Sequence, residues 1–515
     1  MTAYGLSRRS ALTILAAVAA TAGLNAACGS RITPVTATPT ALKRDSNLIY
    51  GVVQPIASIA AYPFSAPGVS FRRTLWDTLI SLDPQRRPVP ELAESWTVAA
   101  DGRTLTLKLR DGVVFHSGRA FAADDAVWNI EYLQDPKTQA NAGEAFKGIR
   151  ATALNKTTLR LDVPEPVPQL FSLLAGAPLL DSQSDLARSP GGTGPFKLDA
   201  FEPGNELRLI RHPGYWRSGL PYLDRLTIRV IPDASSLLVN LESGAAHMVY
   251  PVSLNEVARL QSGAQTKVAL NPMAGNQAYL VRVDDGPFAD GRVRQALAMA
   301  IDRQRCVDAV LHGFGTPSSV VWPKASPAWD ASLDTIDFDL DRARRLLSEA
   351  GFGGGFDSSI TASRTFTPDI FPFHQVYQAD LAKIGVNAKL NIVDENVRSK
   401  LIVDGNFSGL IHYGVGNSDL DPAGLFDTAA LRPKGNPSHF ESAEFSRLVG
   451  AGQRELDPSQ RLEIYRQITR LLKDEAFFLP IANPMIAHGL RREVQGVGFT
   501  VGLPAAPMFT SATLA

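Results

Sequence analysis

The sequence predicts a mixed α/β protein of more than one lobe, and three observations carry that prediction. The chain has 515 residues, too many to enclose one hydrophobic core. Short segments with an apolar residue at every second position recur along it, the period of half-buried strands. Longer segments with apolar residues three and four apart lie between them, the period of helices that bury one face. Because the two kinds interleave, mixed sheets flanked by helices are expected.

Among the strands, TLTLKL (104–109) places Leu105, Leu107 and Leu109 on one face, and LTIRVI (226–231) and AKLNIV (388–393) alternate in the same way. RVRQALAMAIDRQRCVDAVL (292–311) reads as one helix with Val293, Leu297, Ala300, Ile301, Val307, Val310 and Leu311 on a single stripe. The segment 457–473 opens with Asp457 as cap and Pro458 in the first turn, and Leu462, Tyr465, Ile468, Thr469 and Leu472 form its apolar face. DRARRLLSEAG (341–351) ends at glycine, as helices often do. GFGGGF (351–356) follows that helix, so it reads as a stop and turn and not as a dinucleotide loop.

The first residues read as an export signal, 1–27. Arg8 and Arg9 precede the apolar run ALTILAAVAATAGL, and SRRSAL resembles the twin-arginine signal that exports folded proteins. Cys28 then stands where a lipoprotein is cut and acylated, although Asn25 occupies the position where the lipobox carries Leu. Lipidation of Cys28 is expected, against simple cleavage. Residues 28–45 are Thr/Pro-rich without periodicity, which suits a flexible tether. The other cysteine, Cys306, falls in a helical pattern and reads as a small buried residue.

Lys plus Arg and Asp plus Glu both total 51, so nothing supports a nucleic-acid or basic membrane-binding surface. HExxH, CxxC, Walker and GxSxG motifs are absent from the sequence. His116 follows an apolar strand, but a packed histidine accounts for it better than catalysis. The acid pairs Asp124-Asp125 and Asp284-Asp285 read as caps. No enzyme, cofactor or metal site is expected.

Five ordered blocks carry a family resemblance. PELAESWTVAADGRTLTLKLRDGVVFHSGRAFAADDAVWNIEYLQDP (90–136), GTGPFKLDAFEPGNELRLIRHPGYWRSGLPYLDRLTIRVIPD (192–233), PFADGRVRQALAMAIDR (287–303), FDLDRARRLLSEAGF (338–352) and QADLAKIGVNAKL (378–390) resemble extracytoplasmic solute-binding family 5, the binding proteins of peptide and nickel ABC importers. SGAAHM (243–248) departs from that family's acidic turn. The resemblance implies a two-lobed clamshell of the periplasmic-binding-protein kind. One lobe is implied at 46–273 plus 488–515, with an extra subdomain at about 72–188, and the other at 274–487, with the hinge near 273 and 488. It also implies a small polar solute, a short peptide first, held in the interlobe cleft by hinge closure and passed to an ABC permease driven by ATPase subunits. The protein is then a monomer, periplasmic or at the cell surface, and held to the membrane if Cys28 is lipidated.

The site residues follow from the same resemblance. Family members hold a peptide's amino terminus with an aspartate in a W-x-x-D-x-x-D-P-like stretch. Counting back from Asp421-Pro422 puts Ser418 at the acid's place and Val415 at the tryptophan's, with Asp419 one position late. Asp419 is read as the amine contact, against a solvated turn residue, and Asp421 as a helix cap or a second contact. Val415 in place of tryptophan is expected to widen the pocket. SRTFTP (363–368) resembles the stretch that supplies a carboxylate-binding arginine, which gives Arg364 that role. Gly68-Val69-Ser70 and Tyr413-Gly414-Val415-Gly416 are the two backbone rails for an extended ligand, and Tyr413 is expected to stack on it or bond to it. Glutathione-like compounds, opines and metal chelates are alternative solutes. A sensor or chaperone-like module on the same fold is the alternative in kind, and a secreted hydrolase a third.

Overall fold

The computed structural model describes residues 46–62, 69–83, 86–140, 143–166, 169–364, 368–416, 421–500 and 506–514. Arg8, Arg9, Cys28 and the tether lie outside them, as do Gly68, Ser418 and Asp419. Among the described residues no helix is long and apolar enough to cross a membrane.

The chain begins with β1 (Asn47–Val52) and the short helix α1 (Val69–Leu75). A separate antiparallel sheet follows, ordered β2-β3-β5-β4, from β2 (Ala93–Val98), β3 (Thr104–Leu109), β4 (Arg150–Asn155) and β5 (Thr158–Asp162), with α2 (Ala123–Gln134) between β3 and β4. Leu105, Leu107 and Leu109 point into its core together, as their alternation predicts. The chain then returns through β6 (Phe196–Glu202), β7 (Glu206–Arg211), β8 (Arg225–Val230), β9 (Met248–Tyr250) and β10 (Thr266–Pro272).

The second half starts with β11 (Gly275–Val281) and the helices α3 (Gly291–Met299) and α4 (Arg303–Val310). The stretch 292–311 is therefore two helices and not one. Asp302 accepts the N–H of Arg305 and caps a new helix, while Ala300 and Ile301 stay buried at the junction, so the apolar stripe runs on through the break. Next come β12 (Gly315–Pro317), α5 (Leu340–Glu349), β13 (Phe356–Ala362), α6 (Pro372–Lys383), β14 (Val386–Ile392), α7 (Glu395–Asp404), β15 (Leu410–Gly416), α8 (Pro422–Leu425), α9 (Pro458–Glu475) and the long β16 (Phe478–Arg491). Asp457 caps α9 through the N–H of Gln460, as its sequence predicts.

One mixed sheet runs β14-β13-β15-β11-β16-β9-β1-β8-β7-β6, with β10 and β12 also paired to β16. β16 joins its two halves. From Phe478 to Pro484 it pairs with β11 and β12, and from Met485 to Arg491 with β10. The crossing is pinned: Met273 N–H donates to the Pro484 carbonyl (3.0 Å) and Asn483 Nδ2 to the Gly275 carbonyl (2.6 Å). One apolar cluster, containing Leu241, Val249, Tyr279, Leu297 and Ile481, extends across the crossing on one face. On the opposite face, separate clusters fill the β15 half, around Trp322 and Tyr465, and the β1 half, around Tyr50 and Trp76.

Candidate functional site

β13 and β15 run parallel, pair at Ile360–Leu410 and Thr361–Ile411, and then part. Ligands of open α/β sheets gather where neighbouring parallel strands split at their carboxyl ends. Here those ends carry Ser363-Arg364 and Tyr413–Gly416.

A polar network fills the split. Arg398, buried at 3 % exposure, donates through Nη1 to the His412 carbonyl (2.7 Å) and through Nε and Nη2 to Glu395 (2.8 and 2.6 Å). Burial alone would raise the Glu395 carboxyl; Arg398 and the hydroxyls of Ser399 and Ser363 outweigh it and bring it below its ordinary value. The His412 ring donates from Nε2 to Oε1 of Gln277 (2.9 Å) and lies 4.7 Å from the ring of His374. Burial, with His374 and Arg398 adding to it, keeps His412 well below the usual histidine range and therefore neutral.

β15 is paired along its full length with β11, from Val281–Leu410 to Gly275–Gly416. Its other edge is bare beyond Ile411 among the described strands. The His412 carbonyl turns to Arg398 on that side, so strand alternation turns the N–H and C=O of Gly414 and Gly416 the same way. With no side chain at either glycine, a ligand backbone can approach this edge closely.

Arg364 follows β13 at the same end. Its guanidinium is exposed, lies 4.1 Å above the Phe371 ring, and has no ion-pair partner among the described residues. Stacking fixes the plane and leaves the fork available to a carboxylate.

Some expectations change. Tyr413 and Val415 point to the other face of the strand, into the cluster with Ile411, Leu425 and Phe478. Tyr413 is partly buried against this cluster, and burial raises its hydroxyl above the ordinary range. Val415 is 2 % exposed, so its exchange for tryptophan changes core packing and does not widen a pocket. Val69 and Ser70 open α1, so they present the first turn of a helix and not an extended strand. Asp421 caps α8 through the Ala423 N–H (2.8 Å) and pairs with Arg461 (2.9 Å), the cap reading of the two considered.

Of the residues weighed for catalysis, His116, Asp125, Asp284 and Asp285 have structural partners. His116 bonds to the backbone of Gly192 and Gly194, and burial holds it down to about 4. Asp125 accepts the Ala122 N–H and pairs with Arg119, Asp284 pairs with Arg282, and Asp285 accepts from Ser408 and Gly409. Cys306 is 1 % exposed, and burial pushes its thiol up to about 12. Among the described residues no group of three His, Cys, Asp or Glu could hold a metal ion.

Sequence reasoning missed Glu395, Arg398, His412 and Gln277. In ENVRSKLIVD the arginine looks like any residue of a solvated helix face, and only the fold brings it under the split between β13 and β15.

A sheet split at its strand ends, with an arginine at the same end that is unpaired among the described residues, is the arrangement of a ligand-binding site. Residues 87–436 match the bacterial extracellular solute-binding proteins, family 5, and the chain belongs to that family, the binding components of ABC importers. The glutathione-binding protein GsiB of Escherichia coli K12 is 26% identical over 443 residues, which cover 82% of this chain and 86% of the relative. NikA from Brucella suis, solved with Fe(III)-EDTA, superposes with a TM-score of 0.81 at 22% identity, over 92% of this chain and 100% of its own. The dipeptide-binding protein from Pseudoalteromonas sp. SM9913, solved with Met-Leu, gives 0.76 at 23%, over 91% and 100%. The fold is the two-lobed clamshell of periplasmic binding proteins, and its members act outside the cytoplasm.

Proposed function

We propose that the protein captures a short peptide or a glutathione-like peptide carboxylate in an interlobe cleft and delivers it unaltered to a membrane permease. The lobes are 46–273 with 488–515, carrying a subdomain at about 72–188, and 274–487. They hinge where β10 passes into β11 and where β16 changes partners. The observation that carries this reading is the Arg364 guanidinium, unpaired among the described residues, at the same sheet end as the Gly414–Gly416 edge, which is bare among the described strands. Backbone hydrogen bonds would grip an extended ligand whatever its side chains, and Arg364 would hold its carboxylate. Asp419 is the proposed contact for a free amine, and Ser418, Gly68, Val69 and Ser70 are proposed as further ligand contacts. Glutathione enters because a relative matched over 86% of its length is named for binding it, and it offers the same carboxylate and peptide chemistry. Cys28 would tether the folded body to the membrane after export directed by Arg8 and Arg9.

Calorimetric titration with dipeptides, glutathione and their C-terminal amides tests this reading. Free acids should bind with micromolar or tighter affinity and remain chemically intact, and amidation should cost about tenfold or more. Equal affinity for acids and amides rejects the carboxylate grip.

A further inference from the structure

A second cavity lies in the β11 half, lined by none of the residues proposed for the cleft. It measures about 220 Å³ and sits between α3, α9, the start of β16 and the segment that follows β12. Met299, Val320, Val321, Leu472 and Phe478 make its apolar walls, and Arg303 reaches it from the start of α4.

Arg303 is an unusual buried cation. It is 3 % exposed, yet it has no carboxylate within ion-pair distance among the described residues. Nε donates to the carbonyls of Ser318 (3.1 Å) and Pro480 (2.9 Å), and Nη1 to those of Ala298 (3.2 Å) and Ile301 (3.4 Å). Nη2 has no hydrogen-bond partner among the described residues. Asp334 and Asp337 act on it only at longer range, and burial lowers its pKa to about 10, so it stays charged at neutral pH. The other charged residues of the lining are Arg342, Asp337, Asp474 and Lys473. The ammonium of Lys473 already donates to the Leu333 carbonyl (2.7 Å) and the Thr335 hydroxyl (2.8 Å), and Asp337 is the acid that acts on it most.

We propose that this cavity is a second ligand site and takes a small carboxylate with an apolar body. A buried guanidinium with an open donor favours an anion, because the charge is already desolvated and a donor is left over. Apolar walls disfavour a fully hydrated inorganic anion and match a branched or aromatic tail. The segment after β12, which forms one wall, carries Trp322 beside Val321, so occupancy is readable in tryptophan emission.

The test is titration of the full chain with isovalerate, isoamyl alcohol and inorganic phosphate, followed by heat and by tryptophan emission. Isovalerate should bind once per chain, the alcohol about tenfold or more weaker, and phosphate weaker still. Ala298→Phe, or Val321→Phe if the first does not fold, should fill the space and abolish isovalerate binding. Arg364→Ala should leave that binding unchanged, which separates this site from the cleft. No isovalerate binding at about 10 mM, equal binding of acid and alcohol, equal binding of phosphate, persistence in a folded cavity-filling variant, or loss in Arg364→Ala would each overturn the proposal.

Discussion

Arg398 donates to the carbonyl of His412 at 2.7 Å, at the place where β13 and β15 stop pairing. The bond takes the position of the missing ladder and ties α7 to the base of the ligand edge. Glu395 neutralises the guanidinium but is partly exposed, at 30 %. Arg398→Met should therefore cost about 2 kcal/mol, less than the full penalty for breaking a wholly buried pair. Urea unfolding reads the loss, and a change below about 0.5 kcal/mol would mean that the network does not hold the split. Lysine should rescue poorly, because one ammonium cannot reach both Glu395 and the carbonyl with a planar fork.

Arg364→Ala should weaken carboxylate-bearing ligands by about 10–100-fold, the worth of a charge-assisted bond, and leave their amides unaffected. Folding stability should barely change, since the guanidinium is exposed and is held only by stacking on the Phe371 ring among the described residues. Paired calorimetry on acid and amide checks both. Unchanged affinity for the acid would remove Arg364 from the site.

The lobed α/β class was legible in the sequence because period alone reports which residues face a core. Leu105, Leu107 and Leu109 show this, and so does the α9 stripe from Tyr465 to Leu472. Period could not reveal the break at Ala300–Asp302, since the junction is as buried as the helices it separates. At the site, Arg364 was legible by its place in a motif. The face on which Tyr413 and Val415 lie was not, because a half-buried strand can turn either face to a ligand until its partner strands are known. Arg398 was the least legible, since its role depends on how two strands on either side of it in sequence pair and part.

Gly275 faces Gly416 across the β11–β15 ladder, and a methyl added to it would meet the Val415 carbonyl at 2.5 Å and the Gly416 Cα at 3.3 Å. Both neighbours are backbone, so neither can swing aside. Gly275→Ala should destabilise by about 1–3 kcal/mol through overpacking. It should also push the β15 edge away from its rest position and weaken every ligand, acid or amide. Wild-type stability in a thermal melt, together with wild-type affinity, would show that the ladder is softer than this geometry implies.

Asp421 is committed to Ala423 N–H and to Arg461, whose Nε also donates to the Gly452 carbonyl (2.9 Å). Asp421→Ala should cost about 1–2 kcal/mol, combining a lost cap with a half-buried ion pair. Any effect on affinity should be the same for free and N-acetylated peptides. A loss confined to free amines would instead make Asp421 the amine contact.

Acid should destabilise this protein well before its carboxylates protonate. Burial lowers His116 to about 4, His374 to about 3 and His488 to about 3, and holds His412 well below its ordinary value. In the unfolded chain each returns to about 6.5. Between these values the unfolded state binds more protons, so stability is fully present above about pH 6.5 and falls as the pH drops through the window. Each histidine contributes a slope of up to about 1.4 kcal/mol per pH unit. Asp77 acts in the opposite sense: burial, then Glu91, push it up to about 7, so its protonated form is retained on folding and favours the acid side. Burial lowers His212 as well and, with Asp421, raises Asp427, so five lowered imidazoles outweigh two raised carboxyls, and the net slope between pH 5 and 7 should be positive. Urea unfolding at half-unit steps measures it, and His374→Gln should flatten the curve by about one histidine's share. Stability that holds level or improves between pH 7 and 5 would mean that these rings are not held neutral in the fold.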